Sequence, residues 1–181
     1  MTGSIFMETL RRNWKQILYW GISLALLGWM IAAIVQDVDI LKQYEQIAKN
    51  FPPVLLQMFG AADAATLATP EGFVTYGFFG YTLLILAVYA VIAGLGVTAS
   101  DEDAGILDVV LSLPVPRWRL VLEKLAAYML IMVGIIALSF VGLLIGVQMS
   151  PVMREINLAH FLAGTVNMIP SSLLMIAFTA F

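Results

Sequence analysis

The densest group of chemically capable residues in this chain is acidic: Asp101-Glu102-Asp103, followed by Asp108. A run of carboxylates first suggests a cation site. Neighbouring helical positions point in different directions, however, and no calcium-loop spacing follows. The same residues can open a helix. Ser100 or Asp101 can cap one, with Glu102 and Asp103 in a first turn where the helix dipole favours anions. Ile106, Leu107, Val110, Leu111 and Leu113 then supply an apolar face, and Pro114 stops the helix. Pro116 is placed to begin the next helix at its first position, which carries Arg117, Arg119, Glu123 and Lys124 onward. The expectation is a short amphipathic helix presenting one face to a partner. An ordinary polar connection with a good cap fits the same residues.

The remaining candidates for chemistry are sparse. The chain has no cysteine, which excludes disulfides, thiolate metal sites and a thiol nucleophile. His160 is the single histidine and has no charged partner in its run, which favours an interfacial or packing role over a proton relay. Ser139, Ser171 and Ser172 lack a nearby base, so helix packing suits them better than nucleophilic attack. Met129, Met132, Met149, Met168 and Met175 read as flexible packing rather than metal ligands. No Gly-x-x-x-x-Gly-Lys-Ser/Thr loop is present, so the chain does not cradle ATP in that manner. The net charge of −3 comes with no basic stripe and gives no reason to expect nucleic acid.

The elements that must position these residues follow from where charge is missing. Of 181 residues, 61% are hydrophobic and 12% charged, with a mean hydropathy of +0.95. Soluble domains are roughly half apolar and about a quarter charged. Charge is absent from 17–36, 72–100, 125–153 and 156–181. A bilayer core of about 30 Å needs roughly 20 helical residues, and each stretch meets that length. The expected fold is therefore an all-α, polytopic transmembrane helical bundle. Its four spans fall near 17–36, 73–99, 125–149 and 158–181, with an external loop at 37–72 and a cytoplasmic connection at 100–124. The first run is too long for a typical signal peptide and lacks a small-residue cleavage site, so it is read as a retained span.

Before that run, Ile5, Phe6, Leu10, Trp14, Ile17 and Leu18 recur at helical spacing between Glu8, Arg11, Arg12 and Lys15. This predicts an amphipathic interfacial helix that bends near Trp14 into the first span. Arg11, Arg12, Lys15, Arg117, Arg119 and Lys124 outnumber Lys42, Lys49 and Arg154, which places the N-terminus and the second connection in the cytoplasm. In the external loop, helical character over 41–49 ends at Pro52-Pro53, a short apolar piece follows, and 60–70 reads as a small, polar loop. Gly94, Gly96, Gly134, Gly142 and Gly146 allow close helix approach, and the Gly142/Gly146 pair is a weak sign of a dimer face. Asn167 and Pro170 are candidates for a kink in the fourth span, near a substrate path. The fourth apolar run reaches Phe181 without a charged flank, which suggests a piece of a longer chain.

The segment from Ser100 to Arg117, with Lys124 following, resembles the signature loop of ABC-2-type permeases, the membrane subunits of ATP-binding-cassette exporters. Glu102, Asp103, Gly105, Leu107, Asp108, Leu111, Ser112, Pro114, Val115, Arg117 and Lys124 match in order and spacing. Ala104 and Pro116 stand where that family commonly has Ser. The amphipathic N-terminus, the Phe51-Pro52-Pro53 segment and 157–170 resemble it more weakly. The resemblance implies a plasma-membrane, multi-pass permease, not itself an enzyme, within a family that usually has six spans per half. It implies a coupling helix seated on a separate cytoplasmic ATPase subunit, which would hold the ATP and Mg, while this chain binds no cofactor. It also implies a second permease half, identical or different, and export of a substrate. Apolar walls would suit a small hydrophobic or amphiphilic one. A polytopic sensor or structural protein with no transport path is the alternative reading.

Overall fold

A computed structural model of the chain describes residues 4–52, 54, 56, 63–103 and 116–180. The fold is all-α and polytopic. Helix α1 (Ser4–Asn13) is followed by α2 (Lys15–Ile34), α3 (Val38–Ala48) and the short α4 (Ala64–Leu67) and α5 (Pro70–Val74). A π-helical turn, Thr75–Phe79, continues α5 into α6 (Gly80–Asp103). Then come α7 (Arg117–Met149), a 3-10 turn (Val152–Glu155) and α8 (Leu158–Thr179). No strand occurs among the described residues. Four segments are long and apolar enough to cross a membrane: Lys15–Ile34, Pro70–Val97, Trp118–Met149 and Leu158–Thr179. α7 has 33 residues. At 1.5 Å per residue it is about 50 Å long, more than a hydrocarbon layer of about 30 Å requires.

The helices pack within two compact units. One comprises Ser23–Thr82 and Leu138–Thr165. Its core includes Ile31, Ala32, Val35, Val74, Phe78, Leu143, Val147, Met153 and Phe161. Gly142 and Gly146 let α7 approach α2 closely. A Cβ at Gly142 would overlap the backbone of Ala25, and one at Gly146 would lie 2.7 Å from the Trp29 carbonyl and 2.9 Å from the Ala32 methyl. The glycine pair therefore faces the chain's own first span and is not a dimer face. Sequence spacing shows that a helix face is small, but not which neighbour uses it. Phe79 stacks on Phe161 at 6.0 Å between centroids and meets Phe78 edge-on at 5.2 Å. Ser150 donates to the Val35 carbonyl and accepts from the Met153 amide, satisfying the chain where α7 ends.

The stretch expected to be a loop over 60–70 is partly helical. Asp63 accepts from the Thr66 amide and hydroxyl, each at 2.8 Å, and so opens α4. Thr69 accepts from the Gly72 amide at 2.9 Å, and Pro70 takes the first position of α5. Each is a side-chain oxygen satisfying a first-turn N–H, a signal that outweighs the small, polar composition around it. A satellite cluster of Ala48, Leu56, Ala64 and Leu67 packs against Tyr44 and Tyr76.

The other unit comprises Met1–Ile22, Leu83–Ala137 and Val166–Phe181. Ile131, Met132, Ile135 and Ile136 are fully buried in it. Tyr89, also fully buried, meets Trp20 edge-on at 5.4 Å and donates to Gln16 Oε1 at 2.8 Å. The Thr179 hydroxyl donates to the Ala90 carbonyl at 3.0 Å and lies over Gly94, where a Cβ would overlap it. α6 is helical without interruption through Asp103. Ser100 and Asp101 are thus interior helical positions and not a cap, which corrects the expected helix start there. Nothing between Gly96 and Asp103 is a proline or glycine that would end a helix, so continuing it costs less than restarting it.

Candidate functional site

The residues with the most specific pattern lie where α6 leads toward α7. Glu102 and Asp103 are on the α6 helix, and Arg117 is the first residue of α7. Gly105, Leu107, Asp108, Leu111, Ser112 and Pro114 fall in 104–115, outside the described residues. The structure does define the two helices that flank this segment. Lys124, one turn into α7 beyond Arg119, is only 9% exposed, and its Nζ donates to the Val97 carbonyl of α6 at 3.4 Å. An ammonium loses much hydration on burial, so it persists only with acceptors at hand. Lys124 thereby ties together the helices on either side of the segment.

Glu123 adds a second tie. Its Oε1 accepts from Arg119 Nε at 3.1 Å, one helical turn back on α7. Its Oε2 accepts from the Phe6 backbone amide at 3.2 Å. Phe6 lies in the first turn of α1, where amides have no intrahelical acceptor and a negative charge is favoured by the helix dipole. A carboxylate from α7 therefore caps α1. The opposite end of α1 is held by a polar relay. Asn13 donates to the Thr9 carbonyl at 2.9 Å, Gln16 donates to Asn13 at 3.0 Å, and Tyr89 of α6 donates to Gln16. The break between α1 and α2 falls at Trp14, where these side chains take over backbone and amide partners. Arg11, Arg12, Trp14 and Lys15 are all exposed around it.

Glu123 and Gln16 were not distinguishable from sequence in these roles. The Arg119–Glu123 spacing is a visible ion-pair signal, but nothing local joins Glu123 to a residue 117 positions earlier. Asn167 and Pro170, the candidate kink residues, are exposed on α8, which is helical through both. His160 is exposed near the start of the same helix. Among the described residues, no group of three histidine, aspartate or glutamate side chains converges as a metal site. Asp63, outside the spans, has its carboxyl held below the ordinary value, first by the Thr66 amide and then by its hydroxyl.

A family model for the C-terminal domain of the multidrug efflux system permease Rv1217c matches residues 6–181. No curated protein and no solved structure matches the chain. The family match spans nearly the whole sequence, and the chain belongs to that family of efflux permeases.

Proposed function

From membership in this efflux-permease family we propose that the chain is an ATP-binding-cassette permease of the ABC-2 type, exporting a small hydrophobic or amphiphilic compound. ATP is hydrolysed, with its Mg, on a separate cytoplasmic ATPase. The segment 104–115, with Glu102 and Asp103 before it and Arg117 and Lys124 after it, is the coupling helix seated on that ATPase. The N-terminus faces the cytoplasm, the membrane is the plasma membrane, and a second permease half completes the path.

The observation that carries this reading is the bracing of the helices around the segment. A connection that only joined two spans would not need its flanking helices locked. Lys124 locks α7 to α6, and Glu123 locks α7 to α1. A push delivered to 104–115 is thus passed to the roots of three helices together rather than absorbed at one joint. Residues 1–181 contain no phosphate loop, and on this reading the push comes from the separate ATPase.

The test is co-purification with a co-expressed ATP-binding-cassette ATPase. Changing Asp103→Lys, Gly105→Trp or Leu107→Arg is expected to weaken association about tenfold or more, as for residues at the centre of an interface, and to abolish stimulation of ATP hydrolysis. Assembly and stimulation that survive the whole series would overturn the assignment of this segment.

A further inference from the structure

The second span is not one regular helix. Between α5 and α6 the turn Thr75–Phe79 is π-helical, with amides bonding five residues back instead of four. Such a turn holds one residue more than an α-turn. Three aromatic side chains hold it where it is. Tyr76 packs on the cluster of Ala48, Leu56, Ala64 and Leu67. Phe78, fully buried, is seated over Gly28, where a Cβ would lie 2.8 Å from its ring. Phe79 stacks on Phe161 of α8 and lies over Gly164, where a Cβ would come 3.2 Å from its ring.

An extra residue in a helix can move along it. Each residue it passes turns by about 100° into the place its neighbour held. Toward Pro70 that movement is closed. Phe78 would have to enter the place of Gly77, where a Cβ alone would already come 3.3 Å from Ile31. Beyond it, Gly72 packs on the Thr66 carbonyl with no room for a Cβ. Toward α6 the movement is open, but only for two residues. Phe79 would enter the place of Gly80, which is exposed and where a Cβ meets nothing within 4 Å. Gly80 would enter the place of Tyr81, which is 64% exposed. There it stops, because Tyr81 would have to fill the buried place of the smaller Thr82. We infer that the π-turn is a two-position switch. In one position Phe79 is stacked on Phe161; in the other it is swung into the open place of Gly80. The switch makes and breaks a contact between the second and fourth spans. On the permease reading that contact is a gate, but the switch rests on the packing alone and holds whatever supplies the push.

Fluorine NMR of the full chain in lipid nanodiscs, with 4-fluorophenylalanine in place of Phe79, tests this. The Phe161 ring shifts the resonance of a stacked neighbour, so two positions give two environments, exchanging in microseconds to milliseconds. Phe161→Leu should raise the swung population about two- to tenfold, the range for loss of one aromatic pair. Deleting Gly80 removes the extra residue while keeping both flanks in register, and should leave the swung environment alone. A 3-fluorotyrosine in place of Tyr76 should show one environment throughout. A single Phe79 environment without exchange broadening, unmoved by Phe161→Leu, would overturn the switch. So would a stacked environment that survives the deletion, or equal exchange at Tyr76, which would mean that the whole turn loosens. Where the deletion variant does not fold, the Phe161→Leu comparison decides. No ATPase takes part in these measurements, so their outcome is separate from that of the coupling assignment.

Discussion

Glu123 carries two interactions at once, an ion pair along its own helix and a cap on another. Its side chain is 16% exposed, so water does little to replace either. Glu123→Ala removes the acceptor of the Phe6 amide and strands Arg119. A hydrogen bond to a charged group is worth about 1.5–3 kcal/mol, and partial exposure brings the expected cost to about 1–2 kcal/mol. It should show as faster amide exchange across α1, with Glu123→Gln showing a smaller change because it keeps a carbonyl acceptor. Unchanged exchange over residues 6–13 would remove the cap from the account. Asp63 provides a pH-dependent counterpart. Its carboxyl is depressed below the usual value by Thr66. The cap it makes is therefore complete above the unfolded carboxylate range and is lost as pH falls through its lower folded value. The Thr66 amide should become exchange-labile only in that acid window. Of these residues, Arg119 with Glu123 was legible in the sequence because helical spacing brings them together. The Phe6 contact was not, because only tertiary packing joins positions so far apart.

Helices, by contrast, were readable from length and charge alone, since lipid leaves them no polar face to carry. What the sequence could not say was how they touch. The Gly142/Gly146 pair is compatible with a dimer contact and with an internal one, and the structure uses it internally against α2. Gly142→Leu should push α2 away from α7, at a cost of about 1–3 kcal/mol or more for overpacking a tight contact. Gly80 tests the converse. It has helical φ and ψ of −60° and −51°, and a Cβ there would meet nothing within 4 Å. Gly80→Ala should therefore stabilise by about 0.5–1 kcal/mol through helix propensity. Thermal unfolding in detergent should move in opposite directions for the two. Equal shifts would mean that the glycines act through chain flexibility and not through space. The 60–70 segment was misread for a related reason. Its composition is loop-like, but Asp63 and Thr69 each satisfy an orphan amide three residues on, and two capped turns follow.

For the whole molecule, the proposed direction in the membrane rests on charge. Six of the nine Lys and Arg residues lie on the N-terminal segment and the root of α7, and three lie on the other connections. Two of those three are partly neutralised within α3, where Lys42 pairs with Asp39 at 2.9 Å and Lys49 with Glu45 at 2.7 Å. Two crossings separate the N-terminal segment from the 104–115 connection, so both lie on one side of the membrane, the side the proposed function gives to the ATPase. Lys49→Cys should react with a membrane-impermeant maleimide on intact cells. Trp118→Cys, at a position 66% exposed at the start of α7, should react only after the membrane is opened. The reverse pattern would place the braced segment outside the cell, beyond the reach of ATP. It would leave the four spans intact while removing any route by which Lys124 and Glu123 could pass on the work of hydrolysis.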